Sequence, residues 1–105
     1  MSAGLIYRYF PFRPPQLLMA TIAGVMGFGV PGAVALAMRC PERQIVCLAG
    51  DGGFLMTGNE LAIAVARKLK LAIFVAHNRS LGSIRANQER EFPRRVVGTD
   101  LTTPD

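Results

Sequence analysis

Charge, cysteine and aromatic residues are all scarce in this chain, and each shortage removes a class of function. Charged residues make up 18% of the 105 positions and hydrophobic ones 50%, a balance that collapses into a core rather than staying a disordered tail. Only two cysteines occur, Cys40 and Cys47, and one histidine, His77. Neither the cysteine spacing nor an accompanying histidine makes a zinc site, so both are expected to be reduced, mostly buried thiols, as in the cytoplasm. Acidic residues number 7 against 12 basic ones, for a net charge of +5. The basic residues are scattered from Arg8 to Arg95 with aromatics at only 8% and none interleaved among them, so nucleic acid is not an expected partner. The first residues lack the charged start, apolar centre and small-residue cleavage site of a secretory signal, which argues against export. The length suits one domain with a modest core.

What the chain does have is concentrated between Ile45 and Asn78. The apolar run IVCLA, Ile45 to Ala49, stops abruptly at Gly50-Asp51-Gly52-Gly53. Such a run before a glycine turn predicts a buried parallel strand whose carboxyl end delivers Asp51 to a crevice. A helical segment follows, and a second apolar run, LAIFVA from Leu71 to Ala76, delivers His77 and Asn78 in the same way. Strand, helix, strand is a βαβ unit, whose parallel strands end on the same sheet edge. Asp51 and Asn78 are therefore predicted to meet although 26 residues lie between them. A carboxylate, an amide oxygen and unobstructed glycine amides suit a magnesium ion carrying a diphosphate.

The Gly-Asp-Gly turn, the spacing to Asn78 and the flanking GVMGFGVPGAVALAM and LGSIRANQEREFPRRVVGTDLTTPD resemble the thiamine diphosphate enzymes, most closely the acetolactate synthase-like group. The resemblance covers residues 13 to 105 and departs at one place, where His77-Asn78 stands for the usual Asn-Asn pair. It implies metal ligation by Asp51, Asn78 and the backbone carbonyl of Ser80. It also implies that Gly52, Gly53 and Phe54 hold one phosphate and that amides around Leu81 and Gly82 hold the other. The carbonyl of Gly24 and the amide of Met26 are implied to hold the aminopyrimidine, with the Met26 side chain wedged between the cofactor's rings. From the residues alone, Met26 reads as ordinary core and His77 as a satisfied strand-end histidine.

The remaining segments carry weaker signals. Residues 1–12 are expected to be an irregular lead-in because Pro11, Pro14 and Pro15 oppose a long helix. Leu17 to Met38 runs 22 residues without a charge, long enough to cross a bilayer, but four glycines and Pro31 interrupt it. As part of a soluble domain it divides at the Gly24–Gly27 turn, and Gly29-Val30-Pro31 starts a helix with proline in its first turn. Phe54 to Lys70 reads as one helical segment, its longer part capped by Thr57 or Asn59, with Arg67, Lys68 and Lys70 complementing its dipole. Glu60 suits a structural place near a helix start. Arg85 reads either as a phosphate or carboxylate partner or as part of a solvated helix face.

The expected fold is α/β, an open parallel sheet with helices on both faces, present as a partial domain over residues 13–105. The resemblance implies a thiamine diphosphate and Mg2+ binding domain acting on 2-oxo acids by decarboxylation or carboligation. It further implies a homo-oligomer, or pairing with a chain that carries the cofactor-activating glutamate. That glutamate domain is not among these residues, and none of Glu60, Glu89 and Glu91 is promoted to replace it, so no catalytic residue is assigned and the fragment alone is expected to be inactive. A non-catalytic module of the same fold and a small membrane protein built on 17–38 are the alternatives.

Overall fold

Two parallel strands and one small-residue helix form the centre of the computed structural model, which describes residues 2–104. In chain order the elements are α1 (Ser2–Tyr9), α2 (Gly29–Arg39), β1 (Ile45–Gly50), α3 (Asp51–Thr57), a 3-10 turn (Gly58–Glu60), α4 (Leu61–Ala66), β2 (Leu71–Ala76) and α5 (Gly82–Glu91). β1 and β2 pair in parallel from Ile45 opposite Leu71 to Gly50 opposite Ala76. Both strands thus end at one edge, and the residues that follow them emerge side by side. The architecture is that of a partial α/β domain.

α2 reaches the sheet closely because of what its sequence omits. Its buried stripe is Val30, Ala33, Val34 and Ala37, and Ala33 and Ala37 join Ile45, Cys47 and Ala49 in the core. A Cβ on Gly29 would stand 3.2 Å from the Cys47 sulfur, so glycine lets the first turn of α2 sit against β1. Pro31 falls in that first turn, where its missing N–H costs nothing. Phe54, Leu69, Leu71 and Ile73 pack around this centre. Burial pushes the Cys47 thiol above its ordinary pKa, as expected of a cysteine packed as a small hydrophobe.

Several expectations change at this level. The lead-in is not irregular throughout: Ser2–Tyr9 is helical, because the prolines all lie beyond it. The segment from Leu17 to Met38 does not form one helix; α2 begins only at Gly29, and among the described residues no helix is long and apolar enough to cross a membrane. The helical stretch after Gly50 begins at Asp51 and is broken by the 3-10 turn. Thr57 makes no capping side-chain bond there, and α4 starts from Glu60 without one, so neither Thr57 nor Asn59 caps the longer part. β1 is buried on one face only: Ile45, Cys47 and Ala49 are covered, while Val46 is 62% exposed. Phe74, across from Leu48, is exposed as well.

The one-sided burial sets an expected contrast in stability. Ile45→Ala removes buried methylenes from the centre and should cost about 2–4 kcal/mol, whereas Val46→Ala on the open face should stay within about 0.5 kcal/mol. Urea unfolding of the two variants measures both.

Candidate functional site

The site is assembled at the carboxyl edge by one carboxylate. Gly50 closes β1 in an extended conformation, and Asp51 turns at once into the first position of α3, where its charge complements the helix dipole. Its side chain is buried, with 5% exposure. Oδ1 accepts from its neighbour's amide, Gly52 N, at 2.9 Å; Oδ2 accepts from Asn78 N at 3.1 Å and Arg79 N at 2.6 Å. Two consecutive amides can converge on one oxygen because Arg79 adopts a left-handed backbone, φ 53°, rare for a residue with a side chain.

Burial by itself would raise the Asp51 pKa. The Arg79, Gly52 and Asn78 amides, with a smaller contribution from the charge of His77, outweigh it and bring the carboxyl below its ordinary value. Asp51 therefore remains an anion in a buried place, held chiefly by oriented backbone dipoles.

Around it the Asn78–Gly82 loop is tightly organised. The Asn78 amide oxygen accepts from Ser80 N at 3.1 Å, and the Ser80 carbonyl accepts from Gly82 N at 2.8 Å. A short antiparallel bridge joins Ser80 to Asp100: Leu81 N donates to Thr99 O at 2.7 Å, and Leu101 N to Arg79 O at 2.9 Å. His77 Nε2 lies 2.6 Å from the Thr103 hydroxyl, and Arg85 pairs with Asp100 at 2.9 Å on the surface. Arg85 is thus part of a solvated face.

A cavity of about 1510 Å³ runs from this edge past the Gly24–Gly29 turn towards the lead-in. Its size exceeds the few hundred to about 1,000 Å³ of an ordinary ligand pocket. Gly24, Met26, Asp51, Gly52, Gly53, Asn78, Ser80, Leu81 and Gly82 all line it. Phe54 does not: its ring packs against the core, and counted from the N-cap Gly50 it is the first position whose N–H has a partner inside the helix. Met26, 42% exposed, is not core; its methyl would be 3.4 Å from a Cβ on Gly52, so the side chain reaches from the turn to the start of α3. Leu81 and Gly82 line the cavity, but their amides are engaged with Thr99 and Ser80, so holding a phosphate would require trading those bonds.

The donors present fit a hard divalent cation. Asp51, Asn78 and the Ser80 carbonyl offer oxygen only, and among the described residues no group of three His, Cys, Asp or Glu side chains forms an all-protein cage. Magnesium bound here would take its remaining ligands from phosphate and water, as it usually does. The Ser80 hydroxyl is buried without a partner beside this loop, a polar atom left available. Three features escaped the sequence pattern: the left-handed Arg79, the Thr99–Leu101 bridge, and a bond from Thr57 to Gly27. Only Gly98, with φ 66°, marks the bridge locally, and hydrophobic periodicity carries no trace of the others.

Because the folded carboxyl is more acidic than the unfolded one, its contribution to stability is complete above the unfolded pKa. It should be lost as pH falls from the ordinary carboxylate range through the lower folded value. Asp51→Asn should flatten that pH dependence and cost about 2–4 kcal/mol near neutrality, since amide donors lose a charged acceptor. Arg79→Gly should instead add about 1 kcal/mol, the left-handed strain released at φ 53° outweighing the freer unfolded chain. Chemical unfolding across pH reads all three.

The family model described as the C-terminal TPP-binding domain of thiamine pyrophosphate enzymes matches residues 1–105. The chain is 37% identical over 94 residues to the acetolactate synthase isozyme 2 large subunit of Escherichia coli (strain K12), covering 89% of this chain and 17% of that one. It is 33% identical over 91 residues to the acetolactate synthase large subunit of Lactococcus lactis subsp. lactis (strain IL1403), covering 86% and 16%. Against acetolactate synthase 2, chloroplastic, of Zea mays it is 35% identical over 105 residues, covering 100% and 16%. The chain therefore spans about a sixth of the length of these curated relatives. With the match extending over the whole chain and the sheet edge built as described, this protein belongs to the thiamine pyrophosphate enzyme family, as a C-terminal TPP-binding domain similar to that of the acetolactate synthase large subunits.

Proposed function

We propose that this chain binds thiamine diphosphate with magnesium and serves an acetolactate synthase-like enzyme acting on 2-oxo acids. The observation that carries the reading is the Asp51 carboxylate holding the Asn78–Arg79 amides across the ends of two parallel strands. Asp51, the Asn78 amide oxygen and the Ser80 carbonyl hold the metal. The Gly53 amide, beside Asp51 at the start of α3, faces a phosphate with no Cβ in the way. Gly52 contributes space more than a donor, since its amide already serves Asp51 and a Cβ there would strike Leu81 at 2.6 Å. The Gly24 carbonyl and Met26 amide hold the aminopyrimidine, and the Met26 side chain stands between the cofactor's two rings.

When bound, the cofactor supplies an electron sink for the bond beside a 2-oxo group. This chain's own share is to anchor, orient and desolvate. Glu60, Glu89 and Glu91 do not line the cavity; Glu89 accepts from Arg94 N and Glu91 pairs with Arg90. On this reading the activating glutamate comes from a different domain, in a chain that carries it. The open apolar sheet face around Val46 and Phe74 supports such a partner. We assign the binding domain to residues 13–105, with residues 1–12 leading into it. The two free thiols suit a cytoplasmic setting.

Asn78→Ala deletes the amide oxygen, and with it one exposed bond from Ser80 N, while keeping the backbone N–H that donates to Asp51. Calorimetry with thiamine diphosphate should show magnesium-dependent binding by the wild type and a loss of at least about tenfold in the variant. Equal affinity in both would remove Asn78 from the metal. The chain alone, supplied with cofactor, magnesium and pyruvate, should release no carbon dioxide.

A further inference from the structure

α3 carries both ends of the site on one short rod. Its first residue is Asp51 and its last is Thr57. The Thr57 hydroxyl donates to the carbonyl of Gly27 at 2.7 Å, 30 positions away in the chain. Gly27 lies in the left-handed region, φ 84°, and a Cβ there would stand 3.2 Å from Thr57 Cγ2 and 3.3 Å from Met56 Cβ. At the other end a Cβ on Gly53 would be 3.5 Å from Gly27 N. The glycine turn is therefore laid along α3, pressed against it where side chains are missing and bonded to it at Thr57.

The helix is built to release that hydroxyl. A threonine inside a helix commonly returns its hydroxyl to the carbonyl four residues back. Thr57 leaves helical geometry at φ −141°, just before the chain tightens into the 3-10 turn, and its hydroxyl goes to Gly27 instead.

We propose that Thr57 is a positioning residue for the cofactor: through the Gly27 carbonyl it fixes the Gly24–Gly27 turn at a set distance from Asp51. Along α3 the six residue steps from Asp51 to Thr57 span about 9 Å at 1.5 Å per residue. The proposal rests on the thiamine diphosphate reading of the site. A ligand with both a ring and a diphosphate senses this spacing; one with a diphosphate alone does not.

The full chain is compared as wild type, Thr57→Val and Thr57→Ser, using calorimetry with magnesium plus thiamine diphosphate and with magnesium plus inorganic diphosphate. Amide hydrogen exchange over residues 24–29 is measured in parallel without ligand. Thr57→Val should weaken thiamine diphosphate about tenfold, leave inorganic diphosphate within about twofold and speed exchange in the turn. Thr57→Ser, which keeps the hydroxyl, should restore both the thiamine diphosphate affinity and the slower exchange. Equal losses for both ligands, unchanged thiamine diphosphate affinity, or failure of serine to rescue would each overturn the positioning role. A wild type that binds neither ligand overturns the cofactor reading itself, and unchanged exchange in Thr57→Val then shows separately that the hydroxyl does not hold the turn.

Discussion

A buried carboxylate that three backbone amides keep ionised is the constraint on which this structure turns. Taking Asp51 out of water is unfavourable, and among the described residues no lysine or arginine pairs with it. What offsets the cost is the convergence of the Gly52, Asn78 and Arg79 amides, two of them from the far strand end. The parallel pairing of Gly50 with Ala76 brings those amides within reach, and the left-handed turn at Arg79 aims the second of them. Strand register, loop conformation and carboxylate charge are thus one linked condition. A cation bound to Asp51 and Asn78 would inherit a loop already in place, which is preorganisation in its simplest form.

The rest of the fold leaves this edge open by keeping its core small. Glycine and alanine dominate the contact face of α2, so the helix lies close on β1 and the core is thin. The opposite face of the sheet, with Val46, Leu48 and Phe74, is left uncovered. Parallel sheets are ordinarily covered on both faces because their strands are apolar throughout. Here the apolar character is present on both faces, yet Val46, Leu48 and Phe74 stay exposed in a chain about a sixth as long as its relatives.

The legible parts of the sequence were those where chemistry acts locally. Two apolar runs ended by Gly50 and His77 gave the strands, and Pro31 two residues after Gly29 gave the start of α2, since each signal sits where its effect is felt. Asp51 and Asn78 were legible because parallel strands must deliver their ends to one edge. The exposed face of β1 was not, because an unbroken apolar run looks the same whether one side or both are covered. Phe54 was placed in the site by resemblance, while counting from the N-cap shows its N–H already inside the helix. The Leu81 amide is engaged by Thr99, at a distance along the chain where single-sequence pattern carries no information, and the Gly82 amide by Ser80 inside the same loop.

How few side chains hold the site together follows from the same accounting of bonds. The ties across elements near the cavity are mostly backbone to backbone, as between Leu81 and Thr99 or Leu101 and Arg79, and any residue can make them. Asp51 and Thr57 are different, because each uses a side chain to hold a segment that belongs to another part of the chain. They stand at opposite ends of α3, so the helix transmits the position of one to the other as a rigid body. A change in the surrounding apolar wall alters packing by small amounts that neighbours can absorb. Lengthening or shortening α3 by one residue would instead rotate Thr57 by about 100° away from Gly27 while Asp51 stayed fixed. The length of that helix is therefore more tightly constrained by the site than the identity of most residues lining it.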